Sequence, residues 1–264
     1  MIFYEIRHRY TMPDNAFLYP HLCDLPYFRA LIRAVEAAFY QDLDLPAPTL
    51  DVGCGDGHFA SLTFPHPIDV GLDPWHAPIH EARTRAAYRF LVEADGGEMP
   101  FPDGYFASAF SNSVLEHIPY VETVLSETAR VLKPGAPFVF CVPNERYLSE
   151  LSLGRVLGGW YREWFRRMSR VHHADGPEVW GERLARAGFE VVRWWHYFSP
   201  AAMRVLEWGH YFGLPSLVAR LLTGRWILAP RRWNLFLTER FVRRYATAQP
   251  VEDGTFTFYV TRKR

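Results

Sequence analysis

The 264-residue chain has little cysteine, no formal net charge and no apolar run of membrane-spanning length, and each absence narrows what it can be. Three cysteines, Cys23, Cys54 and Cys141, form neither a disulfide framework nor a zinc-ligand spacing, which points to a reduced, cytoplasmic setting and no bound metal. The most lipophilic longer stretch, Leu214 to Pro230, is interrupted by Arg220 and Arg225 well short of a transmembrane helix. Met1 to Asp14 mixes Glu5, Arg7, His8 and Arg9 with apolar residues and offers no signal-peptide core. Any membrane contact would then be peripheral, at the inner face.

The charge balance hides an asymmetry. Residues 1–150 carry 10 Lys and Arg against 20 Asp and Glu, and residues 151–264 carry 19 against 9, so the halves stand ten charges negative and ten positive. A basic half suits an acidic partner, an anionic membrane surface or attraction to the other half. Hydrophobic content of 49% allows a sizeable core, and the 16% of aromatic residues, nine Trp among them, lies mainly toward the C-terminus.

The chain is organised around Leu50-Asp51-Val52-Gly53-Cys54-Gly55-Asp56-Gly57-His58, a short apolar strand that runs into three alternating glycines and then a helix. Glycines at the C-terminal end of a buried parallel strand let backbone approach a ligand, and open α/β sheets bind ligands at such ends. A dinucleotide loop would read G-x-G-x-x-G, but His58 occupies the sixth position and the third glycine comes one place early. That excludes an NAD(P) oxidoreductase, for which no hydride-transfer constellation is visible either. Asp73 ends a second strand, Ile68 to Leu72, 20 residues beyond Gly53, the distance at which an acidic residue meets ribose hydroxyls.

The pattern Asp51-x-Gly53-x-Gly55-x-Gly57 resembles motif I of the class I methyltransferases that use S-adenosylmethionine. The segment from Ala94-Asp95 through Met99-Pro100-Phe101-Pro102-Asp103 to Phe106 resembles the A-D-x-x-x-L-P-F-x-D-x-x-F-D signature of the subgroup that includes the ubiquinone and menaquinone biosynthetic enzymes. It departs from that signature at Ala107, where the family has Asp. Leu115-Glu116-His117-Ile118 and Arg130-Val131-Leu132-Lys133-Pro134-Gly135 continue the likeness, and Ala187-Gly188-Phe189 closes it.

The resemblance implies a Rossmann-like α/β fold: a seven-stranded, mostly parallel sheet with an antiparallel last strand, helices on both faces and a helical cap from two insertions. It divides the single domain into an N-terminal flank or lid (1–46), a cofactor-binding core (47–145), cap insertions (146–172 and 199–250) and segments that complete the sheet (173–198 and 251–264). Within the flank, a helix from Pro26 to Gln41 places Phe28, Leu31, Ile32, Val35 and Phe39 at helical spacing, a packing pattern. The last strand, with Phe256, Phe258 and Val260 alternating, reads as half-buried.

By the same resemblance S-adenosylmethionine lies over Asp51, Gly53, Cys54, Gly55 and Gly57. Asp73 and Pro74 meet the ribose, Asp95, Gly96, Glu98 and Met99 the adenine, and Ser111 and Asn112 the methionyl end. His117 is the candidate general base, because it sits in the loop that faces the transferred methyl and an imidazole is the side chain suited to proton transfer near neutrality. Trp160, Tyr161, His172 and His173 are candidate contacts to the acceptor, a small or lipid-like molecule methylated on oxygen.

The cap region adds basic aromatic helices. Between Arg155 and Arg170, Val156, Leu157, Trp160, Tyr161, Trp164, Phe165 and Met168 interleave with Arg162, Arg166, Arg167 and Arg170 as an amphipathic basic helix, and Trp233, Leu237, Phe241 and Tyr245 recur every four residues. Such helices can lie at a membrane interface, wall a pocket for a long apolar acceptor, or pack their aromatic face on the sheet. No nucleic-acid reader motif accompanies the arginines. The alternative left open is a cofactor-binding, membrane-associated accessory protein without turnover.

Overall fold

The computed structural model describes residues 16–264; the expectations for Met1 to Asp14, and with them the first part of the flank, lie outside the described residues. Seven strands, β1 (Thr49–Val52), β2 (Ile68–Asp73), β3 (Tyr88–Glu93), β4 (Ser108–Asn112), β5 (Pro137–Pro143), β6 (Phe189–Tyr197) and β7 (Phe256–Lys263), form one sheet in the order β3-β2-β1-β4-β5-β7-β6. Only β7 runs antiparallel to its neighbours. This is the sheet expected from the sequence. The strand order reverses at β1, whose Asp51 pairs with Gly71 of β2 on one side and Phe110 of β4 on the other. The glycine loop therefore leaves the sheet at its topological switch point, where a crevice opens between diverging connections.

Twelve helices accompany the described sheet: α1 (Leu18–Asp24), α2 (Tyr27–Phe39), α3 (His58–Thr63), α4 (His76–Ala82), α5 (Val121–Val131), α6 (Arg146–Ser149), α7 (Ser152–Leu157), α8 (Gly159–Met168), α9 (Pro177–Arg186), α10 (Pro200–Phe212), α11 (Leu214–Thr223) and α12 (Arg232–Arg243). Two apolar cores lie on opposite faces of the sheet. Leu125 of α5 and Trp180 of α9 join Phe138 and Phe140 of β5 in one, whereas Leu31 and Phe39 of α2 join Phe110 of β4 and Phe258 of β7 in the other. The Phe39 ring meets Trp195, Tyr197 and Phe258 edge-on at 5.3, 5.2 and 5.4 Å, so one aromatic side chain anchors the flank to the far end of the sheet. On its other side α2 is crossed by α10 so closely that a Cβ on Gly209 would lie 2.3 Å from the Phe28 Cβ.

Three sequence expectations change. The last strand is buried on both faces rather than one, because β7 inserts between β5 and β6: Phe258 faces the first core and Tyr259 the second. The single basic helix expected from Arg155 to Arg170 is two helices, since Gly158 adopts φ 78° and ψ −153°, a conformation that ends α7 and starts α8 at a new angle. The stripe Trp233, Leu237, Phe241 faces outward rather than onto the sheet, because α12 buries Leu235 and Val242 instead.

Candidate active site

The chain leaves β1 through three glycines in the left-handed region, Gly53 (φ 83°), Gly55 (φ 54°) and Gly57 (φ 71°). The amides of Gly53 and Cys54 donate to the Leu72 carbonyl at 2.8 and 2.9 Å, which holds the turn against β2. A side chain at Gly53 would strike Val114 at 2.4 Å, whereas a Cβ on Gly55 would meet nothing within 4 Å. Open space above a strained backbone is the cradle a ligand needs. Cys54 is buried in the loop, its thiol held protonated by burial.

Three carboxylates stand in order along the ends of β1, β2 and β3. Neighbouring strands lie about 4.8 Å apart, so the row spans roughly 10 Å, the reach of an extended nucleoside. Asp51 is buried and accepts the Tyr88 hydroxyl at 2.7 Å; burial raises its carboxyl from the usual 3.8 to about 7, against the lowering pull of that bond and of Arg33. Asp73 accepts the Gly55 amide (3.0 Å) on one oxygen and the Trp75 amide (2.9 Å) on the other, and burial raises its pKa too. Asp95, exposed beyond the end of β3, accepts the Gly97 amide at 2.7 Å and the Tyr120 hydroxyl at 2.8 Å. Each oxygen keeps a second lone pair for a ligand hydroxyl or amine.

The other expected cofactor residues divide. Pro74 and Glu98 are exposed beside the row, and Gly96 is buried under it against Val124. Met99 packs in the second core, its amide donating to Glu127 and its carbonyl accepting from Arg130. Ser111 donates to the Val52 carbonyl at 2.8 Å and ties β4 to β1. Asn112 borders the cavity with Asp51, Gly53 and Cys54.

Sequence reasoning missed the contribution of α2. Arg29 and Arg33 line the same narrow cavity as Asp51 and Asn112, and Arg33 donates to the Asn112 carbonyl at 3.3 Å. Glu36 is fully buried and accepts from the Asn112 amide (2.7 Å), the Ser113 hydroxyl (2.9 Å) and the Tyr197 hydroxyl (2.8 Å). The helix read as bland packing thus carries a polar stripe. Arg29, Arg33 and Glu36 at i, i+4 and i+7 on an otherwise apolar helix were the available signal. Two guanidinium groups facing a carboxylate and an amide complement an α-amino acid: cations for its carboxylate, Asp51 and Asn112 for its ammonium. With the glycine cradle and the carboxylate row, these residues fit S-adenosylmethionine.

His117 is half exposed. Its Nδ1 lies 2.9 Å from the Arg170 carbonyl, so the neutral ring carries its hydrogen on Nδ1 and leaves Nε2 bare, 3.7 Å from Glu116. Glu116 is buried with one carboxylate oxygen unpartnered, and desolvation raises its pKa. Two strained non-glycine residues flank this loop, Ser113 (φ 54°) and Arg170 (φ 56°). His172 is exposed and the His173 Nε2–H donates to the Ile118 carbonyl (3.0 Å); the His172 and His173 amides both donate to the Glu116 carbonyl, which draws the segment onto the His117 loop. Trp160 and Tyr161 lie apart from it. Trp160 points to solvent, whereas Tyr161 is buried and its hydroxyl bonds Glu207 and Tyr211 inside the cap. Among the described residues no three histidine, cysteine or acidic side chains gather at metal-ligating positions.

Residues 50–140 match the family model described as a methyltransferase domain. An uncharacterised methyltransferase of Mycolicibacterium gilvum is 31% identical over 153 residues, 55% of this chain and 59% of that protein. A fatty-acid O-methyltransferase of Mycolicibacterium smegmatis is 36% identical over 104 residues, 37% of this chain and 38% of that one. The chain thus spans 59% and 38% of the length of these two curated relatives. A SAM-dependent methyltransferase from Thermotoga maritima superimposes with a TM-score of 0.56 at 17% identity, covering 94% of this chain and 93% of its own. Residues 50–140 therefore match the methyltransferase-domain family, and the seven-stranded sheet they anchor has the fold of the Thermotoga maritima SAM-dependent methyltransferase.

Proposed function

We propose that the protein transfers a methyl group from S-adenosylmethionine to a small or lipid-like acceptor, with oxygen as the methylated atom. The observation that carries the reading is the row Asp51, Asp73 and Asp95 at adjacent strand ends, closed at the Asp51 end by Arg29 and Arg33 of α2. Bound there, the cofactor supplies an electrophilic methyl, and the protein's task is alignment, exclusion of water and management of one proton. Asp73 would hold the ribose, Asp95 the adenine amine, and Arg33 the methionyl carboxylate. His117 would take the acceptor's proton on Nε2 while the Arg170 carbonyl fixes the ring. The relative that acts on fatty acids and the motif likeness to the ubiquinone and menaquinone enzymes both support a lipid-like acceptor.

Calorimetric titration with S-adenosylhomocysteine and, separately, with NADH tests the cofactor assignment. The first should bind and the second should not; the reverse outcome would overturn the reading. Asp73→Ala and Asp95→Ala should each weaken S-adenosylhomocysteine binding by about 1–3 kcal/mol, as the loss of charge-assisted bonds does. His117→Asn should lower turnover on the identified acceptor by about 10²-fold or more with cofactor affinity kept. Undiminished turnover would remove His117 from the proton's path.

A further inference from the structure

Over residues 214–250 seven arginines face a single acidic residue, Glu239. The same stretch exposes ten large apolar side chains, Leu228, Trp233 and Phe236 among them. α11 buries none of its residues, and Leu214, Leu217, Val218, Leu221 and Leu222 form one stripe at i, i+3, i+4, i+7 and i+8, with Leu221 and Leu222 77% and 79% exposed. The opposite side of the helix is committed, since Arg220 donates to Glu81 of α4 at 2.8 Å. Next to it, α10 and α12 enclose an open apolar groove of about 620 Å³ whose walls include Trp208, Phe212, Leu237 and Phe241. A guanidinium stands at its rim: Arg244 lies over the Phe241 ring at 5.2 Å.

A patch of this extent on a water-soluble surface marks an interaction site. We infer that the outward faces of α10, α11 and α12 dock on an anionic lipid bilayer, with α11 lying in the plane of the interface. Charge decides the occupant. In a two-fold dimer through this face each arginine cluster would meet its own copy, a repulsive arrangement, whereas anionic headgroups neutralise the cluster while the leucines and tryptophans enter the acyl boundary. Geometry agrees: ten residues of helix reach about 15 Å, enough to lie in an interface and too short to cross one. No helix among the described residues is long and apolar enough to span. α8 is a poorer docking element, because Glu163 pairs with both Arg166 and Arg167. The site is well placed for delivery, since Trp226, just after α11, receives the guanidinium of Arg29, which lines the cofactor cavity. The surface does not depend on which atom is methylated or on whether turnover occurs.

The test is co-sedimentation of the full chain with phosphatidylcholine vesicles and with mixed phosphatidylcholine and phosphatidylglycerol vesicles, in low and high salt. Binding to the anionic vesicles only, reversed by salt, is expected. Leu221→Glu/Leu222→Glu should cut partitioning by about tenfold or more with the melting temperature and S-adenosylhomocysteine affinity unchanged, because both side chains are exposed. Arg240→Gln/Arg244→Gln should weaken binding and flatten its salt dependence. The inference is overturned by no binding at low ionic strength or by undiminished binding of the leucine variant. It is equally overturned by a dimer in analytical ultracentrifugation that the leucine variant dissociates, which would give the face to a second copy.

Discussion

Replacing Glu36 by alanine should lower the unfolding free energy by about 3–5 kcal/mol, a drop of roughly 10 °C in melting temperature for a chain of this size. The carboxylate sits fully buried on α2 and gathers three donors from distant parts of the chain: the Asn112 amide at the end of β4, the Ser113 hydroxyl and the Tyr197 hydroxyl at the end of β6. With alanine there, the buried Asn112 and Tyr197 donors and the partly buried Ser113 hydroxyl lose their acceptor, and each unmet buried donor costs about 1–3 kcal/mol. Ser113 is also held at φ 54°, so part of its strain is released when Glu36 no longer grips it. Glu36→Gln should fall between, since an amide oxygen can still accept while its NH₂ opposes one donor. Thermal melts and urea titrations of both variants decide the matter; a parent-like alanine variant would show that the convergence on Glu36 contributes little. Because Arg33 lies one turn away on α2 and borders the cofactor cavity, the alanine variant should also bind S-adenosylhomocysteine more weakly.

Asp51→Asn should have two opposed effects: a more stable cofactor-free protein and a weaker cofactor complex. In the folded chain burial holds the Asp51 carboxyl at about 7 against 3.8 when exposed. Between those values the unfolded chain has released the proton that the folded one keeps, so unfolding releases a proton and stability falls as pH rises. Below pH 4 both states are protonated and nothing is lost; above pH 7 the whole penalty is present. The gap from 3.8 to about 7 corresponds to about 4 kcal/mol as an upper bound. The asparagine variant lacks this titration, so its melting temperature should exceed the parent's by a margin that is absent at pH 4 and full above pH 7. In the parent, an ammonium bound beside Asp51 favours the ionised carboxylate, so S-adenosylhomocysteine affinity should rise with pH up to 7 and binding near pH 6 should release a proton. Calorimetry in buffers of different ionisation enthalpy reads that proton. Equal pH profiles for parent and variant would show that Asp51 titrates elsewhere.

The parts of the proposed adenosyl half are legible in the chain because they are local. Strand β1, the left-handed turn at Gly53, Gly55 and Gly57 and the acid at Asp73 fall within 25 residues, and each is demanded by short-range geometry: apolar continuity for a doubly covered strand, absent Cβ atoms for positive φ, a carboxylate at a strand end. At Met99 a motif position says where backbone runs and not which way a side chain turns; here the side chain packs in the second core. The methionyl half was hidden for the opposite reason. Asn112 and Tyr197 lie 76 and 161 residues from Glu36 and meet it only when α2 packs across the sheet.

The same division holds for the whole molecule. By itself the sequence determined the seven-stranded sheet, the glycine cradle and the cofactor class, since these follow from periodicity and backbone conformation within a few turns of chain. Only the tertiary structure decided that β7 would be buried on both faces, that α2 would supply Arg33 and Glu36, and that the leucines of α11 would find no covering partner. Burial belongs to neighbours brought together by the fold, and an amphipathic helix written in one dimension does not say which of its faces the rest of the chain will cover.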